Sequence, residues 1–181
     1  MRHEAGDPLR VALVGMMGCG KSSVGRELAR RLSLEFVDTD VAIEREAGCT
    51  IAEIFTGVGE AAFRALESEQ IARLESLGAT VVALGGGAFV GDQNVARIRA
   101  ACYTIHLQAR PETLRRRLAG DAAAARPLLN VGDAGARLAA LAAVRAPWYG
   151  RAHDTIDVDS RTIEQVVTAI VERLRGAGRC G

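Results

Sequence analysis

A glycine-rich turn caught between two kinds of apolar spacing limits this chain more than anything else in it. Gly15-Met16-Met17-Gly18-Cys19-Gly20-Lys21-Ser22 fits the pattern G-x-x-x-x-G-K-[ST]. Val11 to Val14 is an unbroken apolar run of the kind found in a buried parallel strand, and Val24, Leu28 and Leu32 recur at helical spacing over residues 22–32. The motif therefore sits at a strand-to-helix turn. There its glycines let successive N–H groups curl around a phosphate at the positive end of the helix. Lys21 is placed to reach the β- and γ-phosphoryl oxygens and Ser22 to ligate Mg²⁺, with Gly18, Cys19, Gly20 and Ser23 completing a nucleotide cradle. The competing reading is an accidental glycine-rich turn. Against it, Lys21 is the only lysine among 23 basic residues. Ordinary surface charge is left to arginine, and the one compact ammonium falls in the loop.

The rest of the chain reads as α/β. Its 181 residues, 49% of them apolar, suit one domain from about residue 9 to 181, behind a disordered lead-in at residues 1–8. A second short strand, Leu34 to Val37, closes in Asp38-Thr39-Asp40, at the carboxyl edge where ligands of open sheets gather. A helix over Val41 to Ala47 stops at Gly48, and Thr50-Ile51-Ala52-Glu53 has capping-box spacing for another. A long helix follows over residues 60–77, with Phe63, Leu66, Gln70, Leu74 and Leu77 along one stripe. Thr80 to Leu84 is a third strand running into Gly85-Gly86-Gly87, where backbone can approach a ligand closely. Strands at 102–107 and 155–158, and helices at 111–118, 134–144 and 163–174, complete the chain, with Pro147 expected to break the second of these helices. Residues 119–133, bracketed by Gly120 and Gly132, have weak periodicity. They read as a lid, the alternative being a plain surface loop.

Composition removes several classes of function. A net charge of +1 argues against a sustained nucleic-acid or anionic-membrane surface. No apolar run reaches the ~20 residues of a membrane span, and residues 1–8 lack the apolar segment of a signal peptide, so a cytoplasmic protein is expected. Cys19, Cys49, Cys102 and Cys180 have neither C-x-x-C nor zinc-ligand spacing and read as reduced thiols. Cys19 alone lies near chemistry, as a small loop-filling residue or as a reactive thiol.

Phosphoryl transfer calls for a carboxylate beside the metal. The strand ending at Leu84 offers glycines instead, which leaves Asp38 the best-placed candidate. Asp40, two residues on, projects to the same side if the chain stays extended; its other possible role is to cap the next helix. Arg64 has Glu60 four residues before it and Glu67 three after, so two carboxylates can hold its planar fork toward an anionic group. Arg145, before Ala146-Pro147-Trp148-Tyr149, is a second such fork.

Taken together these pieces resemble the shikimate kinase family. The match consists of the loop at residues 15–22, Asp38-Thr39-Asp40, Gly59-Glu60 with Phe63-Arg64, Gly85-Gly86-Gly87, Arg126-Pro127-Leu128-Leu129 and Arg145-Ala146-Pro147 with Tyr149, in the family's order over residues 10–175. The resemblance implies a P-loop, nucleoside-monophosphate-kinase-like three-layer α/β fold, with a five-stranded parallel sheet ordered 2-3-1-4-5 and a mobile lid. It implies ATP and Mg²⁺, and transfer of the γ-phosphoryl group to the 3-hydroxyl of shikimate in aromatic amino acid biosynthesis. The expected partners are those small molecules, without nucleic acid or membrane, and the expected form is a monomer. By the same resemblance Lys21, Asp38 and Arg126 are catalytic, with Ser22 and Asp38 on the metal. Gly18, Cys19, Gly20, Lys21, Ser22, Ser23, Arg117, Arg126 and Arg161 bind the nucleotide. Asp40, Arg64, Gly85, Gly86, Gly87 and Arg145 bind the acceptor. A gluconate kinase would share the loop and fold but has no evident need for two separated arginines plus an Asp-x-Asp pair. A guanine-nucleotide switch is disfavoured, since its Asn-Lys-x-Asp motif has no second lysine to use.

Overall fold

A computed structural model describes residues 8–121 and 134–180. The chain begins β1 (Arg10–Val14), α1 (Lys21–Leu32), β2 (Glu35–Asp38), α2 (Thr39–Ala47), α3 (Ile51–Gly57), α4 (Gly59–Arg73) and β3 (Thr80–Ala83). It continues α5 (Asp92–Ala101), β4 (Tyr103–Gln108), α6 (Pro111–Asp121), α7 (Ala134–Tyr149), β5 (Asp154–Asp157) and α8 (Ile163–Gly176). The strands form one parallel sheet in the order β2-β3-β1-β4-β5, as the family resemblance implies.

β1 is the central strand, paired with β3 from Arg10↔Thr80 to Leu13↔Ala83 and with β4 from Val11↔Tyr103 to Val14↔His106. Val11 to Val14 and all of β3 are buried. Covered on both faces, such strands read as continuous apolar runs rather than alternating ones. Parallel pairing requires crossovers, and α1 supplies the first, burying Val24, Leu28 and Ala29 in the main core. Between β1 and α1, Gly15, Gly18 and Gly20 have φ of 141°, 78° and 99°, values that side-chain-bearing residues rarely tolerate. A smaller core of Ile43, Ile54 and Phe63, with Phe55 and Leu66 against it, ties α2, α3 and α4 together. The expected capping box at Thr50 and Glu53 is formed.

Several boundaries differ from the sequence reading, each for a local reason. α2 begins at Thr39 rather than Val41, because Asp38 is its N-cap and accepts a 3.1 Å hydrogen bond from the Asp40 N–H. The chain is thus helical, not extended, from Thr39 onward, and Asp40 does not share a side with Asp38 by strand geometry. α4 ends at Arg73 and passes into a 3₁₀ turn, Leu74–Ser76, short of the expected 60–77. α5 was not assigned from sequence; it buries only Val95, Ile98 and Ala101 and starts at Gly91 without a side-chain cap. Pro147 does not break α7. It lies in the last turn, where the missing N–H costs one hydrogen bond, and the helix is held by buried Leu138, Arg145 and Tyr149. Residues 119–121 end α6, whereas the remainder of the expected lid, Arg126 included, lies outside the described residues, as does the lead-in before Pro8.

Candidate active site

The loop after β1 closes on its own lysine. Lys21 Nζ donates to the carbonyls of Gly15 at 2.9 Å and Met16 at 3.1 Å, which keeps the ammonium inside the loop at the start of α1. Ser22 Oγ donates to Asp38 Oδ2 at 2.6 Å. The first turn of α1 and the end of β2 therefore present a hydroxyl and a carboxylate side by side. Both are hard oxygen donors, the set that suits Mg²⁺ when it takes few protein ligands and fills its shell with water and phosphate. Among the described residues there is no cluster of three or more His, Cys, Asp or Glu able to hold a metal.

The acceptor side is built on Gly85-Gly86-Gly87, immediately beyond β3 and beside the phosphate loop. A Cβ on Gly85 would lie 2.6 Å from Asp40 Oδ1 and 3.0 Å from Glu67 Oε1. A Cβ on Gly86 would lie 3.3 Å from Arg145 Nη1 and 3.6 Å from the Met17 amide nitrogen, and one on Gly87 would run into Arg64 Nη1. Each glycine thus clears room for a different polar side chain, brought in by α2, α7 and α4 respectively. Asp40, Arg64 and Arg145, separated by over a hundred residues of sequence, converge as the sequence predicts. The Gly85 amide, however, donates to Thr39 Oγ1 at 3.0 Å, so its N–H is used within the fold, against the expectation that all three glycines offer theirs to a ligand. Thr39 Oγ1 also donates to Ala83 O at 3.3 Å, clipping α2 to the end of β3.

Arg64 is held on both flanks, by Glu60 at 3.0 Å and Glu67 at 2.8 Å. Burial works against its charge, but the hydrogen bonds it donates to Glu67 and then Glu60, with their charges, outweigh it and set its pKa above the ordinary value. Glu67 is only 3% exposed. Its Oε1 is the one buried side-chain polar atom among the described residues that lacks a hydrogen-bond partner, leaving an unsatisfied acceptor beside Gly85. Arg145, 7% exposed, donates through Nη1 to Gly86 O at 2.9 Å.

The nucleotide end is less enclosed. Arg117 on α6 spans from Cys19 O at 3.3 Å to Val158 O at 2.9 Å, linking the phosphate loop to the end of β5. Arg161 lines an open groove of about 630 Å³ with Gln108, Arg110, Pro111, Asp157 and Asp159. Asp159 is fixed there by the Arg110 amide and side chain. Arg117 does not line that groove, so the structure does not bring the two arginines expected to flank the base together in it. Beneath the phosphate loop, burial and then the Lys21 charge push His106 down to about 4, so it is neutral at neutral pH and adds no second positive charge. All four cysteines are free thiols, and Cys19 is buried.

A phosphate loop at the first crossover, with arginines and carboxylates converging on the glycine turn next to it, defines a P-loop small-molecule kinase. Comparison with known proteins makes the class particular. A family model described as shikimate kinase matches residues 17–175, and the chain belongs to the shikimate kinase family. It is 44% identical to the shikimate kinase of Symbiobacterium thermophilum over 174 residues, covering 96% of this chain and all of that one. It is 42% identical to that of Thermus thermophilus over 164 residues, 91% of this chain and 89% of that one. The solved Acinetobacter baumannii shikimate kinase in complex with shikimate superposes with a TM-score of 0.88 at 34% identity, covering 94% of each chain.

Proposed function

We propose that this chain transfers the γ-phosphoryl group of ATP to the 3-hydroxyl of shikimate, giving shikimate 3-phosphate and ADP. The observation that carries the reading is the convergence of Asp40, Arg64 and Arg145 on three successive glycines that adjoin the phosphate loop. Two guanidinium forks recognise the acceptor carboxylate, and Asp40 accepts hydrogen bonds from ring hydroxyls, which together orient one hydroxyl toward the loop. Gly18 to Ser23 cradle the phosphates, and Lys21 neutralises charge on the group in transit. Ser22 and Asp38 would hold Mg²⁺, which when bound spreads the charge of the β- and γ-phosphates. Arg126 belongs to this set by its place in the Arg-Pro-Leu match and acts on the transferring group, while Arg117 and Arg161 serve the nucleotide base. Among the described residues no helix is long and apolar enough to cross a membrane. The working form in this reading is a cytoplasmic monomer of one domain. The test is an ADP-release assay with Mg-ATP, run with shikimate, with gluconate and without acceptor. Release should require shikimate; release that gluconate supports equally, or that ignores the acceptor, overturns the reading.

A further inference from the structure

Tyr149 ends the Arg-x-Pro-x-Tyr match without a role in binding or transfer. Its ring, 2% exposed, stacks on His106 of β4 with centroids 5.0 Å apart. Its hydroxyl donates to Gly86 O at 2.6 Å and lies 3.7 Å from Met16 Sδ. Arg145 Nη1 donates to the same carbonyl at 2.9 Å. Burial pushes the phenol up to about 12 against the pull of Arg145, so it stays a donor at any working pH.

The carbonyl matters because of what lies across the peptide. None of the described peptide bonds is cis, and in a planar trans unit the Gly86 C=O and the Gly87 N–H point in opposite directions. Three successive glycines leave this backbone with no side chain to fix its orientation. Whatever tethers the Gly86 oxygen therefore aims the Gly87 N–H, and Gly87 is the glycine that faces Arg64. Arg145 is a poor tether by itself, since its fork is also wanted by the acceptor carboxylate. Tyr149 sits at the end of a helix and is locked by the His106 stack, and its only other acceptor among the described residues, Met16 Sδ, lies farther away at 3.7 Å.

We propose that Tyr149 is a positioning residue for acceptor recognition: its hydroxyl, by tethering the Gly86 carbonyl, holds the Gly87 N–H toward the acceptor carboxylate between Arg64 and Arg145. The proposal rests on the shikimate kinase reading and adds to it the device that orders the glycine turn.

The test is Tyr149→Phe, which keeps the ring and its stack on His106 and removes one hydroxyl. The KM for shikimate should rise about five- to twentyfold, while the KM for ATP and the melting temperature change little. A second acceptor separates recognition from packing: a shikimate analogue with the carboxylate replaced by hydroxymethyl, which offers no anion to the Gly87 N–H. With it, the variant-to-parent ratio of kcat/KM should return to about one. An unchanged KM for shikimate, equal rises in both KM values, or the same ratio with both acceptors would each overturn the proposal. A parent protein that fails to phosphorylate shikimate would instead overturn the functional reading, and that result is read before any variant is made.

Discussion

Half-buried His106 makes the fold sensitive to acid in a way that can be calculated. Its folded value of about 4 lies below the ordinary 6.5, so between those two values the unfolded chain binds a proton that the folded chain refuses. Stability from this group is complete above about pH 6.5, falls as the pH drops through the window and levels off below about 4. Integrating between pH 8 and pH 5 gives a loss of about 2 kcal/mol from this one imidazole. Urea melts followed by Trp148 fluorescence at the two pH values measure it. His106→Phe keeps an aromatic ring against Tyr149 and removes the titration. Carboxylates titrate in both proteins and cancel in the comparison, so the loss between pH 8 and pH 5 should be smaller in the variant by about 2 kcal/mol. Equal losses in parent and variant would refute the placement of a neutral imidazole beneath the phosphate loop.

Lys21→Ala should leave the melt unchanged and lower kcat by about 10²–10³, the cost of losing a preorganised charge on the transferring group; near-normal kcat in the folded variant would remove the loop from catalysis. Gly85→Ala puts a methyl where Asp40 Oδ1 would be 2.6 Å away, so the KM for shikimate should rise by about tenfold or more with the KM for ATP unaffected, and equal shifts in both would contradict the division of the site. Arg126→Ala should lower kcat while equilibrium shikimate binding, measured by calorimetry, stays close to that of the parent, because an arginine on the transferring phosphoryl group acts on charge developing in the transition state. A loss of shikimate affinity without a change in kcat would move Arg126 to the acceptor pocket.

Much of this site is written in short local signals. The phosphate loop and the triple glycine each need only a few adjacent residues, and they lie where the sequence places them, as does Asp38 at the end of its strand. Harder to read were features whose cause is distant in the chain. Thr39 looks like filler between two aspartates until its hydroxyl is seen to bridge Ala83 and Gly85, more than forty residues away. Glu67 is placed beside Arg64 by its spacing and does pair with it, but nothing in that spacing tells that its carboxylate is buried. α2 starts two residues earlier than the spacing predicts because Asp38, the last residue of β2, is also its N-cap, and the strand-like reading of Asp40 fails with it. α5 escaped because three buried apolar residues behind an uncapped glycine give too faint a period. Pro147 misled for the opposite reason: a breaker in a last turn removes one bond that a well-anchored helix can spare.

The phosphate loop and the glycine turn leave the sheet from neighbouring strands, β1 and β3, paired residue for residue up to Leu13↔Ala83. Parallel strands stand about 4.8 Å apart, and the sheet thereby acts as a ruler between phosphoryl donor and acceptor floor. In the proposed assignment the side chains that choose the acceptor, Asp40, Arg64 and Arg145, come from elsewhere, on α2, α4 and α7, outside that ruler. Transfer distance and acceptor choice are therefore inherited separately. A lineage can exchange the helix-borne residues and try new alcohols while the gap across which phosphorus must travel stays the same, which gives this architecture a constant reaction and an editable clientele.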